Sequence, residues 1–298
     1  MRSATTSAGD SPLARTISFC GLVVAVAALA AAPAEGMGKP RVAALQIGLQ
    51  AKGLYGGTID GYYGPSTERA VRRLQRRAGL SVDGVAGPRT RRALGRYGRH
   101  DFGSRVLRSG RVGWDVSVLQ FRMAWRGFPS GALDGVFGPR TTSAVIRFQR
   151  YARLLADGLP GPATYRALRR PLQRVPIALG RPVRGLLTDR FGPRGNRFHT
   201  GLDYAAPAGR AVRAAAPGVV VSAGWDTGGY GRLVVVRHAH RVHTWYAHLR
   251  GFRVRPGQAV SSGERLGRVG ATGRATGPHL HFEARRRGAA LDPAPALR

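Results

Sequence analysis

The chain is nearly without cysteine and lysine: in 298 residues it has one cysteine, Cys20, and two lysines, Lys39 and Lys52. A lone thiol excludes an internal disulfide framework and any multi-thiolate metal site, so a metal would have to be held by His, Asp or Glu. Acidic residues are also scarce, 15 against 48 Lys and Arg, and the formal net charge is +33. No HExxH sequence occurs, which excludes the helix-borne zinc site that motif builds. The N-terminal apolar run ISFCGLVVAVAALAAA, residues 17–32, is short of the roughly 20 residues a spanning helix needs.

That run is preceded by Arg2 and Arg15 and followed by the small residues of AAPAEG. This is the pattern of an export signal, expected to be cleaved and to occupy residues 1–35, with an uncleaved anchor as the alternative. Cys20 lies near the start of the run and follows the bulky Phe19, which argues against lipid attachment there. After cleavage no membrane span is expected. The basic charge calls for a polyanion. Its arginines are spread along an exported chain rather than massed in one tail, so nucleic acid is not the expected partner, and anionic cell-wall polymers remain candidates.

Residues 42–94 and 116–168 align without gaps at an offset of 74, with about 25 of 53 positions identical, a duplicated unit. Val42, Leu45 and Leu49, matched by Val116, Leu119 and Met123, predict a first helix, and Ala70, Val71 and Leu74, matched by Ala144, Val145 and Phe148, a second. Within the copies DGYYGPST, DGVAGPRT, DGVFGPRT and DGLPGPAT recur. Asp-Gly makes a tight turn and Gly-Pro starts a helix, so each copy is expected to be a bundle of about three helices. Trp125 stands where the first copy has Ala51. It is a candidate for stacking on a sugar, with core filling the favoured role.

The copies resemble the peptidoglycan-binding domain type 1 family over almost their whole length. The resemblance implies peptidoglycan as the partner and places the domains at 40–98 and 112–170. A proline-containing linker is expected at 171–185. Beyond it, short apolar runs alternate with glycine-rich turns (GVVVSAG, RLVVVRH, HTWYAHL, FRVRPGQAV, RLGRVG, HLHFEARR), which predicts antiparallel sheet over 186–298.

Seven of the eight histidines lie between 199 and 281: His199, His238, His240, His243, His248, His279 and His281. Acidic candidates beside them are Asp189, Asp203, Asp226, Glu264 and Glu283. His279 and His281 share one strand face, so both can serve one metal, or one can hold it while the other moves protons. The stretches DRFGPRGNRFHTGLDYAAPAGRAV, GGYGRLVVVRH, YAHL and GATGRATGPHLHFE look like the M23 (LytM or lysostaphin-like) metallopeptidase family. That resemblance implies zinc held by His199, Asp203 and His281, with His248 and His279 as the catalytic pair. His238 and Glu283 are then structural or supporting, His240 and His243 are surface residues, and Tyr204 and Tyr230 are candidates for lining the groove. Arg232 departs from the family's frequent GYGN and bears on groove polarity. The whole reads as two all-α bundles followed by an all-β peptidase domain, acting outside the cytoplasm in the cell wall or periplasm. The alternative is a non-catalytic regulator of other wall hydrolases.

Overall fold

A computed structural model describes residues 37–298; the signal-peptide expectation and Cys20 lie outside the described residues. Each repeat contributes two long helices and a short one: α1 (Pro40–Ala51), α2 (Pro65–Arg77) and α3 (Pro88–Ala93), then α4 (Trp114–Trp125), α5 (Pro139–Tyr151) and α6 (Pro162–Ala167). All but α4 begin at a proline, whose fixed φ suits the first helical turn.

A glutamine explains why the Asp-Gly…Gly-Pro-x-Thr motif recurs. The side-chain amide of Gln120 donates to Asp134 Oδ1 (2.8 Å), the Val136 carbonyl (3.0 Å) and Thr141 Oγ1 (3.3 Å), while its oxygen accepts from the Gly135 N–H (2.8 Å). Gln46, Gln75 and Gln149 repeat this with Asp60, Asp83 and Asp157. Each buried amide thus pins a turn to the helix that precedes it.

The first helix of each copy departs from the predicted one-faced pattern. In α1 every residue from Ala43 to Leu49 is buried, while Val42, read as a core position, is half-exposed. The cause is that α1 and α4 pack against each other: Ala43 and Ile47 meet Phe121 and Ala124 in one cluster. A helix covered on all sides needs no polar face.

The second half folds as strands β1 (Leu186–Asp189), β2 (Gly192–Arg194), β3 (Arg197–His199), β4 (Leu202–Ala205), β5 (Ala211–Arg213), β6 (Gly218–Asp226), β7 (Gly231–Arg237), β8 (Val242–Ala247), β9 (Leu249–Phe252), β10 (Ala259–Val260), β11 (Arg265–Val269), β12 (His279–Arg286) and β13 (Ala289–Leu291). The main sheet runs β1-β4-β12-β8-β7-β6-β10, with β13 beside β12, and its ladders are antiparallel. Beneath it lie Leu202, Val234, Val236, Tyr246, Leu280 and Phe282. The stretch FRVRPGQAV is not one strand, because Pro256 and Gly257 break it between β9 and β10.

Residues 171–174 are exposed, as a linker would be. The rest of that segment is not free. Leu179 and Val183 are buried in the sheet's core, and the Leu179 N–H donates to the Ala296 carbonyl at 2.8 Å. The repeats also grip the β2–β3 hairpin. The Ile59 and Leu133 N–H groups donate to the Gly195 and Asn196 carbonyls at 2.9 and 2.7 Å, and Phe198 enters the α1–α4 cluster. Trp125 sits there, 5.3 Å from Phe198 and 6.4 Å from Phe191 between ring centroids, filling the junction rather than facing a sugar. Among the described residues no helix is long and apolar enough to cross a membrane.

Candidate metal centre

The register of β4 on β12 sets Asp203 opposite His281, and His279 opposite Ala205. His199 ends β3 and returns to the sheet through Thr200 and Gly201. That turn has to be tight: a Cβ on Gly201 would lie 2.3 Å from the Phe282 carbonyl oxygen. A glycine there lets the β3–β4 turn lie against β12 and brings the three side chains together. His199 Nε2 is 3.1 Å from Asp203 Oδ1 and 3.0 Å from His281 Nδ1, and His281 Nδ1 is 2.7 Å from Asp203 Oδ1. All three residues are buried.

The outer contacts decide what these atoms offer. His199 Nδ1 faces the Arg190 carbonyl at 2.9 Å, and His281 Nε2 faces Glu283 Oε1 at 2.9 Å. Both partners only accept, so the neutral rings carry their protons on those outer nitrogens. Two imidazole lone pairs and a carboxylate oxygen then converge with no proton between them. Such a set is repulsive when empty and suits a small cation, whose tetrahedral ligand atoms stand ~3.3 Å apart. Arg194 reaches the other carboxylate oxygen, Oδ2, at 3.4 Å, which leaves Oδ1 for the centre.

Electrostatics show the same demand for positive charge, met either by a proton on His281 or by a cation in its place. Burial alone would raise the Asp203 pKa, but hydrogen bonds and charge from His199 and His281 hold it well below the usual carboxylate range. Burial alone would lower His281, but the Asp203 and Glu283 carboxylates outweigh it and push the ring up to about 9. A positive charge is what this pocket favours.

Glu283 does more than its place in the sequence suggests. It is fully buried, and besides His281 it accepts from Thr200 Oγ1 at 2.6 Å and the Tyr230 hydroxyl at 2.8 Å, with Arg285 Nε on its other oxygen. Arg285 also lies 4.0 Å over the Trp245 ring. Burial opposes the carboxylate charge, but Arg285 first and then His281 keep it ionised. Tyr230 therefore supports the centre from behind. Tyr204 does not line a groove: it is 1% exposed and lies in the sheet's core.

His248 and His279 stand beside the centre with ring centroids 4.7 Å apart. His248 follows β8 with φ 61°, a left-handed backbone that kinks the strand and swings the ring toward His279. Its Nδ1 donates to the Thr272 carbonyl at 2.7 Å, and His279 Nδ1 donates to the Gly277 carbonyl at 2.9 Å. In neutral form both rings present Nε2 as a free base. Burial, followed by the nearby His279 and His281, lowers the His248 pKa against the opposing Thr272 bond.

The remaining candidates lie elsewhere. His238 is buried between the Pro217 carbonyl (2.8 Å) and Thr244 Oγ1 (2.6 Å), His240 is exposed in the β7–β8 turn, and His243 is half-buried. Asp189 pairs with Arg194 at 2.8 Å, Asp226 accepts from the Tyr230 N–H, and Glu264 ties the turn at Ser261. Arg232 is exposed, but its N–H donates to Thr272 Oγ1, so its backbone braces the residue that orients His248.

Comparison with known proteins follows the same division. Residues 197–293 match the family model described as Peptidase family M23, and residues 38–94 and 113–168 match one described as "Putative peptidoglycan binding domain". The chain is 55% identical over 97 residues to DD-carboxypeptidase/endopeptidase Mpg of Neisseria meningitidis, covering 33% of this chain and 22% of that protein. It is 36% identical over 120 residues to peptidoglycan DD-endopeptidase ShyC of Vibrio cholerae, covering 40% of this chain and 28% of that one. The chain thus spans about a quarter of the length of these relatives. Among solved structures, the catalytic domain of lysostaphin from Staphylococcus simulans aligns at 31% identity and a TM-score of 0.35, covering 37% of this chain and 90% of that one.

Proposed function

From a chain whose residues 197–293 form a domain of peptidase family M23 behind two peptidoglycan-binding modules, we propose an exported zinc endopeptidase that hydrolyses peptide bonds in peptidoglycan cross-links or stem peptides. The observation that carries this reading is the convergence of His199 Nε2, Asp203 Oδ1 and His281 Nδ1, with two further imidazoles beside them. A donor set of two imidazoles and one carboxylate with no thiolate fits zinc and leaves a coordination position open. A regulator without activity has no use for all five groups.

A zinc ion held by these three residues supplies the positive charge that acidifies a water and polarises a peptide carbonyl. The chain's own groups do the rest. His199 and His281 keep their lone pairs inward because Arg190 and Glu283 hold their outer protons. His279 and His248, with Nδ1 tied to backbone carbonyls, keep Nε2 free to accept the water's proton and return it to the leaving amine. One ring carries that proton; the other, when it holds a proton taken from solvent, can donate it as a hydrogen bond to the oxygen on which negative charge develops and keeps it through the step. Both rings are oriented before substrate arrives, so little reorganisation is needed.

The two repeats tether the peptidase to its substrate and raise its effective concentration. The test is to incubate the chain and its His281→Ala variant with purified peptidoglycans of different cross-links and identify fragments by mass spectrometry. New amino termini that appear only with the intact protein, vanish with chelator and return with zinc are expected. Wall binding by both proteins with no new termini rejects the peptidase.

A further inference from the structure

A second site lies at the opposite end of β12, about 20 Å from His281 at ~3.3 Å per strand residue. Here α5 of the second repeat meets the β7–β8 and β12–β13 turns around an open cleft of about 360 Å³. Arg147, Arg150 and Arg153 line it from the repeat, and Arg241 and Arg287 from the two turns, with Phe128 and Tyr151 as the apolar wall. No carboxylate lines it, and among the described residues none of the five arginines has an ion pair with Asp or Glu.

Unpaired arginines are common in a chain of charge +33, so their number alone says little. Their backbone positions say more. Arg153, Arg241 and Arg287 have φ of 58°, 60° and 51°, the left-handed region where glycine or asparagine is expected. Arg153 caps the end of α5, and the matching residue of the first repeat is Gly79, with φ 63°. Arg287-Gly288 is a two-residue hairpin turn with both φ positive, a place that favours Asn-Gly. Three separate segments thus carry arginine where the backbone disfavours it, and all three open into one cleft.

We propose that this cleft binds a polymer of phosphate esters, such as a phosphodiester-linked polyol or glycan of the cell envelope. Guanidinium forks match phosphate oxygens in pairs, and a cleft lined by one sign of charge concentrates its field. Phe128 and Tyr151 offer the carbon backbone of such a polymer an apolar surface. The site spans both the second repeat and the β domain, so an occupant would add a second attachment to the wall, independent of the metal centre.

The test is calorimetric titration of the full chain, at physiological salt, with inorganic tripolyphosphate and with poly(glycerol phosphate). The double variant Arg153→Gly, Arg287→Asn suits the local backbone, so its thermal midpoint should not fall. Its affinity for both probes should drop tenfold or more. A control of equal charge change on the first repeat, Arg76→Gln with Arg77→Gln, should change affinity less than twofold. Equal losses in the two double variants, or no binding by the unaltered chain, would overturn the site in favour of diffuse charge. Equal binding and equal sensitivity with poly-glutamate would overturn the preference for phosphate. Binding of tripolyphosphate without the polymer, or tighter binding of a DNA oligonucleotide than of poly(glycerol phosphate), would overturn the assigned partner.

Discussion

Replacing Glu283 with glutamine should weaken the metal centre without touching a ligand. The carboxylate collects His281 Nε2 at 2.9 Å, Thr200 Oγ1 at 2.6 Å and the Tyr230 hydroxyl at 2.8 Å on one oxygen, and Arg285 on the other. An amide of the same shape is neutral and carries one acceptor atom. His281 then loses the charged acceptor that fixes its tautomer and ring plane, and loss of such an outer partner lowers metal affinity by about 10–100-fold. Arg285, whose side chain is 22% exposed, keeps its charge with no carboxylate beside it, held only by the Tyr230 hydroxyl and the Trp245 ring. Removing one member of a buried pair costs about 3–5 kcal/mol, and the partial exposure of Arg285 puts the expected loss at the low end. Competition with a chromophoric chelator measures the affinity, and urea unfolding the stability. Tyr230→Phe removes two hydrogen bonds, one given to Glu283 and one accepted from Arg285, but leaves the Glu283–Arg285 pair in place, so it should cost about 2 kcal/mol and shift metal affinity far less. If Glu283→Gln binds zinc within twofold of the unaltered chain while stability falls, the argument that Glu283 orients His281 is refuted.

Phe198→Ala should destabilise the protein by about 3–5 kcal/mol in urea unfolding, because Phe198 is 8% exposed and joins the repeats to the hairpin that ends in His199; a loss under 1 kcal/mol would show that the junction is not packed. Stability should also fall in acid through His238. Burial lowers its folded pKa below 6.5 against the opposing Pro217 bond, so the unfolded chain takes up a proton there first. The stabilisation is complete above about pH 6.5 and shrinks as pH falls. His238→Gln should flatten thermal melts between pH 7 and 5, and an unchanged slope would contradict this.

Strand spacing makes only part of the candidate site legible, and the choice of His199, Asp203 and His248 beside it rests on the resemblance to the M23 family. His279-Leu280-His281 puts two rings on one face, and the structure brings His199 and Asp203 to that face. Glu283 was harder to rank, because its role depends on Thr200 and Tyr230, which lie 83 and 53 residues away. The glutamines of the repeats were readable and missed. Each lies 14 or 8 residues before the aspartate of its Asp-Gly turn, as Gln46, Gln75, Gln120 and Gln149. Long-range packing left no local trace. Nothing near Trp125 announces Phe191 and Phe198, and nothing in α1 announces that α4 covers the face at Ile47. The prolines of 171–185 suggest a linker, and nothing in that segment announces that Leu179 and Val183 enter the sheet's core.

The central claim is that His199, Asp203 and His281 hold one catalytic zinc. The most direct measurement is to strip the chain with chelator and add back zinc in known steps, reading peptidoglycan cleavage and X-ray absorption at the metal together. The account predicts that cleavage is restored at one zinc per chain, with nitrogen and oxygen scatterers and no sulfur, and that His199→Ala and His281→Ala bind zinc at least tenfold more weakly. Cleavage that survives full metal removal, or zinc that binds equally well in both variants, would contradict it.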